Sequence, residues 1–116
     1  MDCYASGEIV ELFAEFKSTH GYAPRMYMES GRWITGPHGA LITRAINHKT
    51  IYRKYIGVDA CMSSLMRPGM YGAYHHIVNL DRLEDEASVT YQVVGPICES
   101  GDIVGENRRL PACQEG

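Results

Sequence analysis

Residues 89–104 read VTYQVVGPICESGDIV, and this stretch decides what kind of fold the chain can form. Apolar residues at positions 89, 91 and 93 alternate with polar residues at 90 and 92, which is the pattern of a half-buried β-strand. Gly95-Pro96 breaks the strand, and Ile103-Val104 begins another. The residues between the two strands are therefore predicted to form a loop.

The segments before this stretch also have strand composition. They are rich in apolar and β-branched residues and are separated by turn signals. The predicted strands are residues 26–28, residues 33–46 with an interruption at Gly36-Pro37, residues 51–59 and residues 74–80. The predicted connections are a hairpin loop at residues 47–50, a turn at Pro68-Gly69 and a solvated charged loop at residues 81–86.

The N-terminal part of the chain predicts one amphipathic helix over residues 4–20. Its apolar stripe follows i, i+3, i+4, i+7 spacing and consists of Ile9, Leu12, Phe13 and Phe16. Gly21 is a natural C-terminal stop for this helix. One helix followed by several strands predicts an α+β fold, mainly β, built on an antiparallel sandwich or barrel. The helix has no obvious packing partner, so periodicity allows either a free-standing domain with a docked helix or part of a larger protein.

Composition excludes several functional classes. The chain has 116 residues and a formal net charge of −3, so it lacks the basic surface that nucleic acid or an anionic membrane requires. It contains no apolar run near the ~20 residues of a membrane span, and its first residues do not resemble a signal peptide. The four cysteines form no CxxC pair and are interpreted as cytosolic thiols, and no metal site is expected.

Four short motifs resemble one enzyme family. In chain order they are Met28-Glu29-Ser30-Gly31-Arg32, the strand end Val58-Asp59-Ala60-Cys61-Met62, the segment LMRPGMYGAYH at residues 65–75, and GPICESGD at residues 95–102. Together they resemble the pyridoxal-phosphate-dependent family of diaminopimelate, ornithine and arginine decarboxylases, in particular the diaminopimelate decarboxylases. Any one of these motifs is weak evidence, whereas four in the family's order are specific.

The resemblance implies a fold and a domain organisation. Residues 4–29 would be the last helix and strand of a TIM barrel that binds pyridoxal 5'-phosphate. Residues 30–116 would be a C-terminal β-domain, a β-sandwich or Greek-key barrel like that of alanine racemase, which is expected to be incomplete at its C-terminal end. The family further implies a cytoplasmic homodimer with shared active sites and no nucleic-acid or membrane partner.

The first motif is implied to bind the cofactor through Glu29, Ser30, Gly31 and Arg32. A carboxylate beside the pyridine nitrogen keeps that nitrogen protonated, which is the role assigned to Glu29. Gly31 would allow close backbone approach, and the Arg32 guanidinium would bind the cofactor phosphate or a substrate carboxylate. Ser30 replaces the family's usual proline. Without the motif, an exposed surface acid is the commoner fate of a glutamate such as Glu29.

The other motifs are implied to bind substrate and donate a proton. Arg67 would bind a substrate carboxylate, and Tyr71 would add a hydroxyl hydrogen bond. Cys98 is implied to donate the proton after decarboxylation, and Glu99 to contact the far amino group of the substrate from the neighbouring subunit. For residues outside such motifs, core packing of a tyrosine or an inert buried thiol would be the simpler interpretation.

The implied reaction of the parent enzyme is conversion of meso-2,6-diaminopimelate to L-lysine and CO2 in lysine biosynthesis. The chain's three lysines lack the context of a Schiff-base lysine, so this chain alone is expected to be inactive. Two alternatives stay open. One is a related pyridoxal-phosphate decarboxylase acting on another basic amino acid, such as a D-amino acid, or on a carboxylated polyamine. The other is a non-catalytic binding module or degenerate fragment.

Overall fold

The computed structural model describes residues 7–116, which divide into two compact units. The first unit ends at Gly39 and contains three helical elements: α1 (Gly7–His20), α2 (Gly31–Thr35) and a 3-10 turn (Gly36–His38). The second spans Ala40–Gly116 and contains a sheet with short helical connections: β1 (Ala45–Thr50), β2 (Lys54–Val58), α3 (Met66–Tyr71), a 3-10 turn (Leu80–Arg82), β3 (Val89–Val94) and β4 (Ile103–Leu110).

Helix α1 confirms the predicted amphipathic helix, although its predicted start at residues 4–6 lies outside the described residues. Gly21 ends it with a φ of 78° and donates its N–H to the Lys17 carbonyl at 2.9 Å. A positive φ costs glycine little, which explains the stop. Of the predicted stripe, Leu12 is 65% exposed, whereas Ile9, Phe13 and Phe16 are half-buried.

The remainder of the first unit differs from the prediction. Residues 26–28 form no strand, and the predicted strand over residues 33–46 is replaced by α2 and the 3-10 turn, with β1 beginning only at Ala45. Pro37 occupies the first turn of the 3-10 helix, where its fixed φ suits helical backbone and its missing N–H has no cost. The apolar composition of this segment was therefore a poor guide to its backbone.

The sheet has the order β1-β2-β3-β4 and is mixed rather than fully antiparallel. Strands β1 and β2 are antiparallel, β2 and β3 are parallel, and β3 and β4 are antiparallel. A parallel pair needs a long crossover, which residues 59–88 supply. The α+β class is confirmed, while the described residues form one sheet, so the sandwich stays a prediction.

Residues 89–94 form strand β3, as the VTYQVV pattern predicts, but β3 lies inside the sheet and is buried on both faces rather than half-buried. Tyr91, Gln92 and Val93 are all buried, and the apolar core around them consists of Ile56, Val58, Ala60, Tyr91, Val93, Val104 and Leu110. The Gln92 amide donates to Asn107 Oδ1 at 2.6 Å, and Asn107 has a φ of 50° at a shift in the β3–β4 register. This pairing satisfies the polar group that the core encloses.

Two predicted turns lie elsewhere in the structure. Residues 47–50 belong to β1, and the chain reverses instead at residues 51–53, where Ile51 N–H donates to the Arg53 carbonyl at 3.0 Å. Pro68-Gly69 lies inside α3 rather than in a turn. Proline is tolerated in the first turn of a helix because the N–H groups there have no intrahelical acceptor.

Residues 74–80 were predicted as a strand and pair with no strand of the described chain. The alternation that prompted the prediction is nevertheless present, since Ala73, His75, Ile77 and Asn79 are half-buried and the residues between them are exposed. Ile77 packs against the core. Alternating burial therefore indicates an extended segment that packs on the sheet. It does not require the backbone pairing that defines a strand.

A hydrogen-bonded cluster fastens the segment before β1 to the end of β2. The Asp59 carboxylate accepts hydrogen bonds from the Arg44 N–H at 2.8 Å and the Thr43 hydroxyl at 2.5 Å, and the Thr43 oxygen accepts from the Ala60 N–H at 3.1 Å. The Arg44 N–H, and after it the Thr43 hydroxyl, lower the pKa of the Asp59 carboxyl from its ordinary value. Both donors stabilise the ionised carboxylate.

We expect Asp59 to make the unfolding temperature depend on acid pH. Folding lowers the pKa of Asp59. The ionised carboxylate therefore stabilises the fold at pH values above the unfolded-state pKa of about 3.9, and this stabilisation is lost as the pH falls through the folded-state pKa. Asp59→Asn should therefore lower the unfolding midpoint at pH 7, and the two proteins should converge near pH 2. Asp81→Asn, which removes another exposed aspartate, is the matched control. A deficit of equal size at both pH values would show that the carboxylate charge is irrelevant.

Candidate functional site

The loop of residues 95–102 joins β3 to β4 and is closed at its base. The Gly95 N–H donates to the Asp102 carbonyl at 3.0 Å, and the Ile103 N–H donates to the Gly101 carbonyl at 2.7 Å. Between these ends the backbone leaves the sheet, and Cys98 and Glu99 are both exposed, as the Gly-Pro break predicted. The loop thus presents a thiol and a carboxylate to solvent on a fixed base.

Glu99 folds back over its own loop. Its Oε1 accepts a hydrogen bond from the Gly101 N–H at 3.1 Å and one from the Ser100 hydroxyl at 3.4 Å. One carboxylate oxygen is thereby occupied, and the side chain remains exposed. The other oxygen remains available to a cationic ligand.

Asp102 is buried at the base of the loop, with 2% of its surface exposed. Its Oδ1 accepts from the Met62 N–H at 2.6 Å and its Oδ2 accepts from the Ile97 N–H at 2.9 Å. The motif GPICESGD ends in Asp102, but no role was predicted for this residue. A carboxylate this deeply buried needs hydrogen-bond partners, and the two backbone N–H groups supply them.

Helix α3 carries the other two predicted substrate-binding residues. Arg67 lies in its first turn and is half-buried, whereas Tyr71 is its last residue and is 69% exposed. Pro68 is buried, and Gly69 approaches the loop so closely that an added Cβ would overlap the Gly101 carbonyl oxygen. The structure therefore places α3 directly against the loop that carries Cys98 and Glu99.

The predicted substrate-binding and proton-donating residues of the second unit are accessible to solvent. An arginine and a tyrosine lie on α3, a thiol and a carboxylate lie on the loop packed against it, and none of the four is fully buried. The structure shows no direct contact between Arg67 and Glu99 within the described residues, so each charge is available to a ligand. Such a surface can bind a small molecule that carries both an anionic and a cationic group.

The motif predicted to hold the cofactor lies in the first unit. Glu29, Ser30, Gly31 and Arg32 line an open concavity of about 450 Å³ together with Trp33 and Pro37. The Gly31 N–H donates to the Glu29 carbonyl at 3.0 Å, and a Cβ added at Gly31 would meet no atom within 4 Å. A carboxylate and a guanidinium on one concave surface match the needs of a protonated pyridine ring and a phosphate, so these residues fit pyridoxal phosphate.

The lysines do not complete that site. Lys17 lies in α1, Lys49 in β1 and Lys54 in β2, and all three are exposed. None of them lines the concavity beside Glu29.

Among residues 7–116, the cysteines are free thiols and form no metal-binding group with histidines or acids. Cys61, Cys98 and Cys113 are free, and a hydrogen bond with the Ser63 hydroxyl at 2.9 Å lowers the pKa of the Cys61 thiol. In the part of the chain from residue 7 onward, no three His, Cys, Asp or Glu side chains are grouped to hold a metal ion. The same residues include no helix long and apolar enough to cross a membrane.

Comparison with known proteins identifies relatives over nearly the whole chain. Residues 20–116 match the family model described as pyridoxal-dependent decarboxylase, C-terminal sheet domain. A diaminopimelate decarboxylase from Methanothermobacter thermautotrophicus is 44% identical over 117 aligned residues, covering 100% of this chain and 27% of the relative. Protein TabA from Pseudomonas amygdali pv. tabaci is 46% identical over 89 residues, covering 77% of this chain and 21% of the relative. The chain thus spans about a quarter of the length of these relatives.

Solved structures give the same result for the fold. A diaminopimelate decarboxylase from M. jannaschii in complex with L-lysine superposes with a TM-score of 0.56 at 34% identity, covering 64% of this chain and 17% of that one. The diaminopimelate decarboxylase from Helicobacter pylori, also complexed with L-lysine, has a TM-score of 0.55 at 32% identity, with coverage of 64% and 18%. In both cases this chain is similar to only a minor part of a longer enzyme.

Proposed function

This chain belongs to the pyridoxal-dependent decarboxylase family through its C-terminal sheet domain, and from that premise we propose that it is part of a diaminopimelate decarboxylase. The intact protein would convert meso-2,6-diaminopimelate to L-lysine and CO2, a step of lysine biosynthesis. Relatives named for this activity, at 42–44% identity, support the proposal. We further propose that residues 4–29 end the cofactor-binding barrel and that residues 30–116 begin the β-domain. Helix α1 supports the helical part of that division.

The observation that supports the proposal is that Arg67 lies on a helix packed against the loop of the exposed Cys98-Glu99 pair. Diaminopimelate carries an amino group and a carboxylate at the end far from the reacting carbon. Glu99 of the neighbouring copy would supply an anion for that amino group, and Arg67 would supply a guanidinium that can hold the carboxylate with two parallel hydrogen bonds. Close packing of Gly69 against Gly101 keeps their two segments together. Tyr71 adds an exposed hydroxyl on the same helix.

Cys98 would act on the reacting carbon. Pyridoxal phosphate, when bound, accepts the electron pair that remains after CO2 leaves. The Cys98 thiol then gives its proton to the α-carbon, and its exposed place on the loop leaves Sγ accessible to a substrate. Glu29 would hold the proton on the pyridine nitrogen, and Arg32 would bind the cofactor phosphate or a substrate carboxylate.

We also propose that two copies of the intact protein share their active sites. Apolar side chains surround the site on α3 and the loop, and they are substantially exposed: Met66, Met70, Tyr71 and Ile97. An exposed apolar patch beside a polar site is typical of an interface. The free thiols support a cytoplasmic location, and the net charge of −3 argues against a nucleic-acid partner.

The decisive measurement is CO2 release by the intact protein with pyridoxal phosphate. We expect turnover of meso-diaminopimelate and little or none of lysine, ornithine, arginine, D-amino acids or a carboxylated polyamine. The 116-residue chain alone is the control, and it should show no turnover and no stoichiometric lysine adduct after borohydride reduction, because no lysine lines the concavity. Faster turnover of another compound would show that this compound, rather than diaminopimelate, is the substrate. A lysine adduct together with turnover by the 116-residue chain alone would contradict the proposal that this chain is one part of the enzyme.

A further inference from the structure

We propose that Asp102 is a positioning residue that fixes the two substrate-binding segments, α3 and the loop of residues 95–102, relative to each other. The inference rests on the proposed function and deepens it. Asp102 is 2% exposed, so its carboxylate is too deeply buried to meet a substrate. Any effect it has on the reaction must act through the residues it holds.

The Asp102 carboxylate joins the backbone of the loop to the backbone of the turn that leads into α3. Oδ2 accepts from the Ile97 N–H at 2.9 Å, one residue before Cys98, and Oδ1 accepts from the Met62 N–H at 2.6 Å, in the turn that leads into α3. Hydrogen bonds to an ionised acceptor are short and strong, and burial strengthens them further. One side chain therefore sets the distance between the thiol loop and the turn.

The turn at residues 61–65 transmits this constraint to α3. The Ser64 and Leu65 N–H groups both donate to the Cys61 carbonyl, at 2.8 and 3.2 Å, so Met62 lies within a closed turn. Helix α3 begins at Met66, immediately after that turn, and Arg67 is its second residue. A shift at Met62 is therefore expected to reach Arg67 within about one helical turn.

A second tie lies at Gly69. The Gly69 Cα faces the Gly101 carbonyl with no space for a Cβ, and Gly95 likewise has no space because the Asp102 carboxylate fills it. The two segments thus touch at two points, the Asp102–Met62 bond and the Gly69–Gly101 contact. In sequence, Arg67 lies between Met62 and Gly69, and Cys98 and Glu99 lie between Ile97 and Gly101.

Asp102→Asn in the intact holoenzyme is the principal test. The amide keeps the side-chain shape, but one backbone N–H loses its acceptor because an NH2 group replaces an oxygen. Misplacement by about 1 Å costs ~10²-fold in rate, so we expect kcat/KM for diaminopimelate to fall by roughly that factor. The loss should be divided between a lower kcat, through Cys98, and a higher KM, through Arg67 and Glu99.

Gln92→Leu is the matched control. Gln92 is also buried, lies on β3 and is hydrogen-bonded to the exposed Asn107 on β4, so the substitution removes a part-buried hydrogen bond between two strands without touching the loop. It should lower the unfolding midpoint yet leave kcat and KM within about twofold of wild type, as expected for a change remote from the reacting groups. Equal kinetic losses in both variants would overturn the proposal, since general destabilisation would then explain them.

Amide hydrogen exchange gives a readout that does not depend on activity. In Asp102→Asn, exchange at whichever of the Met62 and Ile97 amides loses its acceptor should accelerate by roughly tenfold or more, the factor for losing a charge-assisted hydrogen bond, and Gln92→Leu should leave both amides unchanged. Faster exchange with wild-type kinetics would overturn the positioning role. An inactive wild-type holoenzyme would instead overturn the proposed function, and the exchange data would still decide whether Asp102 joins the segments.

Gly69→Ala covers the case in which Asp102→Asn does not fold. It keeps the buried carboxylate and introduces a Cβ where the Gly101 carbonyl lies, which forces α3 and the loop apart. The proposal requires the same combined change in kcat and KM. Wild-type kinetics in Gly69→Ala, with the protein folded, would show that the fixed separation of the two segments does not matter.

Discussion

Cys98→Ala in the intact enzyme is expected to lower kcat for diaminopimelate by ~10²–10⁴-fold, the usual contribution of a positioned general acid. Cys98 is exposed on the closed loop of residues 95–102, where its thiol can reach a bound substrate. KM should change far less, because the proton is delivered after the substrate has bound and lost CO2.

The control for this prediction is Cys113→Ala. Cys113 is half-buried, and its sulfur hydrogen-bonds to the Asn79 amide at 3.5 Å and to the Pro111 carbonyl at 3.3 Å, away from the loop. Its removal should affect stability and leave kcat near wild type. Steady-state rates of CO2 release for both variants decide the matter. A Cys98→Ala enzyme with wild-type kcat would leave the thiol without a chemical role.

The interior of the sheet was predictable because local pattern and tertiary environment agree there. All residues of the VTYQVV segment except Gln92 are β-branched or aromatic, and the segment forms β3 as expected. The break at Gly95-Pro96 likewise gave the loop, because proline has no N–H to donate to a ladder. Where a segment is buried on both faces and bounded by strong breakers, few alternative conformations remain.

The segments around residues 33–46 and 74–80 were predicted wrongly for a different reason. Both have apolar residues suited to strands, but a strand also needs a partner, and composition carries no information on pairing. Residues 31–38 become helical although they contain Trp33 and Ile34. Residues 74–80 keep alternating burial without joining the sheet. Short apolar segments therefore identified the burial pattern better than the secondary structure.

The residues of the candidate site were predicted one by one from motifs, and their roles stay predictions, whereas the packing around them could not be predicted. The motifs indicated Arg67 and Cys98 because their chemistry is recognisable in a short segment. The role of Asp102 depends on Met62, 40 residues earlier in the chain, and no local pattern connects them. The same is true of Gly69 and Gly101, whose close approach exists only once the crossover has folded. Residues that react can be predicted from a motif, but residues that position them require the fold.

Arg67 and Glu99 are expected to set substrate specificity by different means. Lysine has the distal amino group of diaminopimelate and lacks the distal carboxylate, so it leaves the Arg67 guanidinium unpaired. A site built to bind a charged group can reject an analogue without it by up to ~10⁴-fold. Because Arg67 is half-buried, it has less access to compensating water than an exposed arginine.

Arg67→Gln should therefore strongly reduce kcat/KM for diaminopimelate. The ratio of kcat/KM for diaminopimelate to kcat/KM for lysine should become smaller. The affinity for pyridoxal phosphate should hardly change, since Arg32 is the residue proposed for its phosphate. Arg109→Lys, at an exposed position on β4, is the control and should leave both substrates unaffected. A loss of cofactor affinity in Arg67→Gln would mean that the roles of Arg67 and Arg32 have been exchanged.

Glu99→Gln should reduce diaminopimelate turnover without creating lysine decarboxylation. Both substrates present a distal ammonium group, so removing the anion penalises both and leaves their ratio close to that of wild type. Glu106→Gln removes an exposed carboxylate from β4 and should leave both rates unchanged. Competition assays that report the kcat/KM ratio for the two substrates separate the cases. If Glu99→Gln, rather than Arg67→Gln, lowers the kcat/KM ratio of diaminopimelate to lysine, then Glu99 distinguishes the two substrates. The distal carboxylate of diaminopimelate would then be bound by a residue other than Arg67.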